Sequence, residues 1–375
     1  MNDLALSDLK RQLAAWALER GASLRIASAA PDERTRGRMD DAFARGDFAT
    51  WGYDRGYART ATVPQHILPG ARSVICLAVP YATQAVGHAP DGRGRVSNYA
   101  WSTDYHRAMQ RLLRELGREI DAWAEAPVTR VACDTAPLAE RAYAERAGIG
   151  WIGKHTNLID ARSGSFVFLG EIITTLELAP DPPSKKSCGA CRRCIDVCPT
   201  GALRGDYTID ATRCISDLTQ RTDAIPRALR PLVGAWVWGC DLCQDVCPPT
   251  VRRGRRAPAE FEPRSGEAAA PNLQRLLRMK AGDFRRTFAP TAMGWRGPAI
   301  LRRNAAVALG NGLDRADVPV LIEALGADPH PMVRGHAAWA LGRIASPRAF
   351  SALRASLDAE TETSVREEIT CALAG

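Results

Sequence analysis

The first half of the chain alternates short apolar runs with segments whose apolar residues recur at helical spacing. Strands that alternate with helices are typical of an α/β domain, and we assign this domain to residues 1–180. A proline-rich stretch at 180–183 interrupts the periodicity and ends the domain. The pattern predicts buried strands at 73–79 and 165–169, and helices at 9–21, 104–125 and 136–147.

The last part of the chain contains an internal repeat of 32 residues. Equivalent positions carry the same residue type, namely Arg302, Arg334 and Arg366; Ala308, Ala340 and Ala372; Leu309, Leu341 and Leu373; and Gly310 and Gly342. Units of this length that form paired helices resemble HEAT repeats, in which every unit buries one face on the next. We therefore predict an all-α domain over 300–375, preceded by a polar connection at 256–299.

Composition and charge narrow the class of protein. The chain has 375 residues, 46% hydrophobic and 25% charged, which is ordinary for a soluble protein of two or three domains. Its apolar runs are too short to span a membrane and its first residues lack an export signal, so we expect a cytoplasmic protein. The formal net charge of +8 permits a polyanionic partner without requiring one.

The cysteines carry the most specific signal. Eight of the eleven fall between residues 188 and 247, and in a reducing compartment such clustering favours metal binding over disulfides. The first run has the spacing and the closing proline of the bacterial ferredoxin motif and consists of Cys188, Cys191, Cys194 and Cys198. The second run consists of Cys240, Cys243 and Cys247, and Cys214 supplies its missing leading cysteine.

Two [4Fe–4S] clusters explain this layout, because in two-cluster ferredoxins the last cysteine of each run binds the other run's cluster. We assign one cluster to Cys188, Cys191, Cys194 and Cys247, and the other to Cys198, Cys214, Cys240 and Cys243. A pair of zinc sites is the alternative, but it does not explain a run that ends in Cys-Pro. We therefore predict a ferredoxin-like domain at 181–255. Closed clusters carry electrons, so a reacting cofactor is expected in the N-terminal domain.

The N-terminal domain contains no familiar motif for such a cofactor. It has neither the glycine pattern of dinucleotide-binding folds nor a Walker loop. Asp104-Tyr-His106 begins like the cobalamin-binding Asp-x-His-x-x-Gly pattern, but Met109 stands where that pattern requires glycine. A histidine of this motif is therefore not expected to hold a corrinoid.

Several segments of the chain resemble the epoxyqueuosine reductase family. The main ones are Asp134-Thr-Ala-Pro-Leu-Ala-Glu140-Arg141 and Gly148-Ile-Gly-Trp-Ile-Gly-Lys154-His-Thr-Asn157. The resemblance is strong over residues 1–265, and the repeats are similar in character. It departs at Ala61 and Val63, where the family usually has arginines, and at Pro249-Thr250, where Trp-Asn is common. The other matching segments are 68–75, 94–100, 104–106, 164–171 and 214–216.

This resemblance implies a cobalamin-dependent enzyme that reduces the epoxide of epoxyqueuosine to queuosine at the wobble position of tRNA. Its N-terminal domain would bind cobalamin, the two clusters would pass electrons to the cobalt, and the repeats would help to hold tRNA. The resemblance also implies that Asp134 donates the proton, with a pKa raised by burial beside the macrocycle. From the residues alone, Asp134 is instead an N-cap of a helix that begins near Thr135 and has Pro137 in its first turn.

The same resemblance indicates further contacts. For cobalamin the candidates are Arg59, Ser97, Asp134, Lys154, Asn157 and Ser216, and all of these residue types are also common in loops and caps. For tRNA phosphates the candidates are Arg252 and Arg253, in a run that continues to Arg255 and Arg256, together with the repeat arginines Arg302 and Arg334. The alternatives are a solvated linker for the run, and solubility or helix-end charge for the repeat arginines.

Two other functions fit the cofactor pattern. A reductive dehalogenase also combines cobalamin with two clusters, but these enzymes usually carry a twin-arginine signal and have no use for helical repeats. A non-catalytic electron-transfer module would bind clusters without a corrinoid. The proposed reductase requires an external low-potential electron donor. We expect a monomer, because the clusters, the pocket and the tRNA face come from one chain.

Overall fold

The computed structural model describes residues 3–48, 51–83, 92–253 and 257–375. The chain forms two compact units. The first unit comprises Met1–Ala85, Asp104–Thr212 and Leu242–Glu262, and the second comprises Val86–Thr103, Arg213–Asp241 and Pro263–Gly375. The predicted cysteine-rich domain at 181–255 thus contributes to both units, because its central part, 213–241, belongs to the second.

The elements are as follows. The helices are α1 (Asp3–Glu19), α2 (Glu33–Ala44), α3 (Arg55–Ala61), α4 (Tyr105–Ala124), α5 (Glu140–Arg146), α6 (Arg193–Asp196), α7 (Ile215–Gln220), α8 (Arg230–Val233), α9 (Leu242–Asp245), α10 (Pro248–Arg253), α11 (Gly266–Ala269), α12 (Leu273–Leu277), α13 (Ala281–Thr287), α14 (Pro298–Gly312), α15 (Val318–Ala327), α16 (Pro331–Ile344), α17 (Pro347–Ala359) and α18 (Thr363–Ala374). The strands are β1 (Ser23–Ser28), β2 (Ser73–Pro80), β3 (Arg95–Val96), β4 (Thr129–Ala132), β5 (Gly150–Ile152), β6 (Leu158–Asp160), β7 (Val167–Thr174) and β8 (Trp236–Trp238).

A four-stranded sheet organises the first unit. Its order is β1-β2-β7-β4, and every neighbouring pair is antiparallel. Helix α4 packs on one face, where the absence of a side chain at Gly170 makes room for Leu113. Helix α5 packs on the other face through Tyr143 and Ala144, against Cys76 and Ile173. The prediction of a mixed helix and strand region is confirmed.

The predicted strand at 165–169 is observed as β7, which runs five residues further, to Thr174. Glu171 interrupts the apolar run in the sequence, although its side chain is fully buried. The charged residue therefore ended the apolar run from which the strand was predicted, before the strand itself ends. The sequence signal failed here because a buried carboxyl requires a partner that the local sequence does not reveal.

Five helices, α14 to α18, form the repeats of the second unit. Successive equivalent helices pack closely, because a Cβ at Gly310 would lie 2.8 Å from Ala340, and one at Gly342 would lie 2.8 Å from Ala372. The repeated glycines thus mark the contacts between units of the repeat, and the predicted helical solenoid is confirmed. Among the described residues, no helix is both long and apolar enough to cross a membrane.

A buried arginine ties the repeats to the segment 213–241 within the second unit. Arg303 on α14 is fully buried. Its guanidinium donates hydrogen bonds of 2.7–2.9 Å to the carbonyl oxygens of Leu218, Arg221 and Asp223 and to Oδ1 of Asn304. Leu218 and Arg221 lie in and directly after the last turn of α7, where carbonyl oxygens have no partner within the helix. The side chain of Arg303 therefore supplies donors that the helix itself cannot.

Candidate active site

Asp134 lies on the loop between β4 and α5. Its backbone φ is +52°, in the left-handed region that residues other than glycine rarely adopt. Its N–H donates to Oε1 of Glu140, the first residue of α5, and its side chain is 57% exposed. The interpretation of Asp134 as an N-cap is wrong, because α5 begins at Glu140 and its N-cap is Ala139.

His106 joins Asp134 to a second aspartate. Nε2 of His106 lies 2.8 Å from Oδ2 of Asp134, and Nδ1 lies 2.6 Å from Oδ1 of Asp104. Asp104 is itself held in place as the N-cap of α4, where its side chain accepts from the backbone N–H of His106. An imidazole donates from both nitrogens only when it is protonated. The geometry therefore favours an imidazolium between two carboxylates.

The charges of this triad determine where the proton lies. Burial by itself lowers the pKa of His106, but the hydrogen bonds and charges of Asp104 and Asp134 outweigh it and raise the pKa to about 9. The hydrogen bond from His106 lowers the pKa of Asp134, against the opposing effect of burial. That burial beside the macrocycle raises the pKa of Asp134 stays a prediction; within the polypeptide itself, the cationic His106 outweighs the effect of burial.

This triad predicts a pH dependence that can be measured directly. The raised pKa of His106 means that its contribution to folding stability is complete below about pH 6.5 and is lost as the pH rises through about 9. In an NMR titration of the imidazole we expect a midpoint near 9, and a lower one in Asp134→Asn. Asp121→Asn, on the far end of α4, is the matched control. A midpoint near 6.5 in the unmodified protein would contradict the triad.

The four thiols of the first predicted cluster lie together in the first unit. Burial raises the pKa of Cys194 to about 11, and the neighbouring thiols of Cys188, Cys247 and Cys191 add to this effect. Among the described residues, no three His, Cys, Asp or Glu side chains stand close enough for one metal ion, so these thiols interact without converging on one ion-sized point. A cationic centre would stabilise their thiolates, and the donor set fits an iron–sulfur cluster.

Comparison with known proteins identifies the family. Three family models match: a 4Fe-4S double cluster binding domain at residues 187–250, epoxyqueuosine reductase QueG, DUF1730 at 62–135, and HEAT repeats at 296–374. An epoxyqueuosine reductase of Bacillus cereus is 36% identical over 85% of this chain and 84% of that enzyme. One of Listeria monocytogenes is 34% identical over 96% of each chain. The chain belongs to the epoxyqueuosine reductase family. The resemblance noted in the sequence is thereby confirmed.

Solved epoxyqueuosine reductases have the same fold. The structure of one with a tRNA-Tyr epoxyqueuosine-modified stem loop is 32% identical and covers 98% of this chain and 99% of its own, with a TM-score of 0.91. Another, from Bacillus subtilis, is described with its Asp134 catalytic loop swung out of the active site, and its TM-score is 0.90. Family membership favours the reductase over the dehalogenase and the electron-transfer module.

In this epoxyqueuosine reductase family member, aromatic rings stand near Asp134. The rings of Trp51 and Tyr53 are stacked with centroids 6.3 Å apart, and those of Tyr53 and Tyr57 are 4.4 Å apart. Burial, and next the charge of Asp134, raises the pKa of Tyr53, which places this ring near the carboxylate. Sequence reasoning missed both this aromatic group and the contact of His106 with Asp134. The density of aromatics between residues 51 and 57 was the available signal.

The second predicted cluster set is distributed over the two units of this reductase family member. Cys198 and Cys243 belong to the first unit, and Cys214 and Cys240 to the second. Their grouping around one cluster stays a prediction. Lys154, whose contact with cobalamin stays a prediction, donates to the carbonyl oxygens of Gly189 and Cys191, at 2.8 and 3.1 Å. It thereby braces the turn that carries the first two cysteines.

The other cofactor candidates occupy varied positions. Ser97 is buried and its hydroxyl donates to Asp241 at 2.5 Å. Ser216 accepts from the side chain of Gln220 at 3.0 Å. Arg59 is exposed on α3, and Asn157 has its backbone N–H 3.2 Å from Nδ1 of His155. Contact between these residues and cobalamin stays a prediction.

The arginines expected to bind tRNA differ in what they contact. Arg302 forms an ion pair with Asp328, and Arg334 an equivalent one with Glu360, each at 2.7 Å and each with an arginine side chain at most 15% exposed. The two ion pairs occupy equivalent positions in successive repeats. Both arginines therefore have a structural role within the repeats. Arg252 is exposed. The side chain of Arg253, and Arg255 and Arg256 as a whole, lie outside the described residues. Binding of tRNA by these arginines stays a prediction.

Proposed function

We propose that this chain reduces the epoxide of epoxyqueuosine to queuosine at the wobble position of tRNA. The observation that carries the proposal is its likeness, over 98% of its length, to a reductase solved with an epoxyqueuosine-modified stem loop. The double cluster domain supports it, because the reaction consumes electrons. The chain would act as a cytoplasmic monomer that receives electrons from an external low-potential donor.

The reaction determines what the site must provide. Conversion of an epoxide to an alkene breaks both C–O bonds, consumes two electrons and two protons, and releases the oxygen as water. Cobalamin, when bound, would supply the electrons to the epoxide, and the clusters would relay them to it. The side chains of the first unit must therefore supply protons to an oxygen that leaves with negative charge.

Asp134 and His106 together can deliver the first of these protons. The carboxylate of Asp134 is the more exposed member of the pair, so it would face the substrate, while His106 lies behind it with a side chain 25% exposed. Nε2 of His106, 2.8 Å from Oδ2 of Asp134, would pass its proton to the carboxylate, and the carboxylic acid so formed would protonate the leaving oxygen. Water at the exposed carboxylate would supply the second proton. The Asp134 catalytic loop described for the Bacillus subtilis reductase supports a catalytic role for this loop here.

One buried residue of the first unit fits a corrinoid, whose rim carries primary amides. Nε2 of His155 lacks a hydrogen-bond partner among the described residues, and burial lowers the pKa of this histidine to about 4, so it stays neutral. An amide group of the cofactor would satisfy this nitrogen. We therefore add His155 to Arg59, Ser97, Asp134, Lys154, Asn157 and Ser216 as its candidate contacts.

Anaerobic incubation with tRNA bearing epoxyqueuosine and an artificial reductant tests the function. Nucleoside analysis should detect queuosine only when protein and reductant are both present. The reconstituted protein should contain about eight iron atoms per chain and cobalt, with a visible spectrum that shows corrinoid features. Unchanged epoxyqueuosine from a protein loaded with iron and cobalt would contradict the proposed function.

The aromatic group at Trp51, Tyr53 and Tyr57 provides a further prediction, because it can stack on an extruded nucleobase. Base stacking on one aromatic ring contributes about 1–3 kcal/mol. We therefore expect Tyr53→Ala to raise the KM for modified tRNA by about tenfold or more and to change kcat little. Tyr53→Phe keeps the ring and should behave like the unmodified enzyme. Equal KM values for Tyr53→Ala and Tyr53→Phe would exclude stacking at this position.

A further inference from the structure

A fully buried carboxyl lies in the centre of the sheet, beneath the Asp134 loop. Glu171 on β7 is paired in register with Cys76 on β2 and with Ala132 on β4. Its side chain is 0% exposed, and neither carboxyl oxygen receives a hydrogen bond from an N–H or O–H donor among the described residues. A buried carboxylate without a donor is strongly unfavourable. Glu171 therefore requires a proton and an acceptor for it.

Glu140 is that acceptor. It is the first residue of α5, which packs on the face of the sheet to which Glu171 points, and the two carboxyl groups are in hydrogen-bond contact. Two carboxylates this close do not both ionise. A proton on Glu171 that is donated to Glu140 satisfies both groups at once, and Oε1 of Glu140 also accepts the backbone N–H of Asp134.

The surroundings of the pair favour a single negative charge. Burial raises the pKa of Glu171 well above its usual range, and it raises that of Glu140 to about 7. The positive charge of Arg141, next to Glu140, lowers the pKa of Glu140 in opposition to burial. The other titratable groups that face the pair are Asp134 on the loop, Cys133 before it, Cys76 on β2 and Tyr57 on α3.

We infer that Glu140 and Glu171 hold one proton between them, and that this pair positions Asp134 for reaction by fixing the backbone of its loop. Only the positioning of Asp134 for catalysis rests on the proposed function. The sharing of one proton by the two carboxyl groups does not depend on it. The left-handed backbone of Asp134 is unfavourable and persists only where its surroundings hold it. A hydrogen bond from its N–H to a carboxylate is about twice as strong as one to a neutral acceptor.

The sign of the pH dependence follows from this arrangement. Above about pH 7 Glu140 is a carboxylate and holds the loop, whereas at lower pH it takes up a second proton and becomes a weaker acceptor. We therefore expect kcat to fall on the acid side of about pH 7. In Glu171→Gln the amide donates to Glu140 as the protonated carboxyl does, so the acid limb should stay near pH 7. Glu140→Gln cannot take up the second proton and should lose this limb.

Amide hydrogen exchange of the loop at 133–139 tests the pair without the reaction. We expect Glu140→Ala to exchange at least tenfold faster than the unmodified protein, and Glu140→Gln, which keeps an acceptor oxygen, to stay close to it. An infrared band of a protonated carboxyl, shifted in D₂O, should be present in the unmodified protein and absent in Glu171→Gln. Glu145→Gln is the matched control, because Glu145 also lies on α5 and accepts a backbone N–H, that of Ile152.

The outcomes separate this inference from the proposed function. If the unmodified enzyme forms no queuosine, the proposed function fails. Amide hydrogen exchange and the infrared band still test whether Glu140 and Glu171 share a proton and hold the loop. The inference is overturned if the infrared band persists in Glu171→Gln, or if the loop in Glu140→Ala exchanges at the unmodified rate. It is also overturned if an active Glu140→Gln enzyme keeps the acid limb of the unmodified enzyme. Loss of the infrared band in Glu171→Gln together with loss of the acid limb in Glu140→Gln would support it.

Discussion

Replacement of Asp134 by Asn is expected to lower kcat by about 10²–10⁴-fold, the usual contribution of a positioned acid. The amide of Asn keeps the size of the carboxyl but has no proton to give to the leaving oxygen. His106 at 2.8 Å would then have no group to recharge. Single-turnover assays with modified tRNA measure this loss. Binding of tRNA and cobalamin, measured separately, should change little.

Two controls define this result. Asp121→Asn removes a carboxylate that accepts the backbone N–H of Val128, far along α4 from the triad, and should turn over normally. His106→Gln should have an intermediate effect, because Asp134 remains but is no longer recharged by the imidazolium. An Asp134→Asn enzyme that retains full activity would remove Asp134 as the donor.

Replacement of Arg303 by Met is expected to cause the largest loss of stability, about 3 kcal/mol in the free energy of unfolding of the second unit. Four acceptors lose their donor, and each unsatisfied buried acceptor costs about 1–3 kcal/mol. Removal of a buried charge offsets part of this cost. Denaturant unfolding, followed by hydrogen exchange in the repeats, measures the change.

The matched control is Arg354→Met on α17, because Arg354 is exposed and surface substitutions usually change stability by less than about 0.5 kcal/mol. Arg303→Lys should recover little, since an ammonium group lacks the planar fork that reaches several carbonyls at once. Equal stabilities of Arg303→Met and Arg354→Met would show that the hydrogen bonds of Arg303 contribute no net free energy.

The features predicted correctly from the sequence have local signals. The ferredoxin motif depends on the spacing of cysteines within a short stretch of sequence. The repeats depend on residues that recur at a fixed period. The glycines at 310 and 342 are examples, because the contact that excludes a side chain there recurs in each repeat. The wrong prediction concerns Asp134, because its assignment as a helix cap assumed that its neighbours in sequence were its partners.

The sequence by itself determined the family, the iron–sulfur ligand types and the helical repeats, because each follows from residue identity at short or periodic spacing. Only the tertiary structure decided the protonation of the site. His106 reaches Asp134 across 28 residues, and Glu171 meets Glu140 only because α5 packs on the sheet. The pKa of a carboxyl depends on the charges and the solvent around it. Those surroundings exist only once the strands and helices have packed.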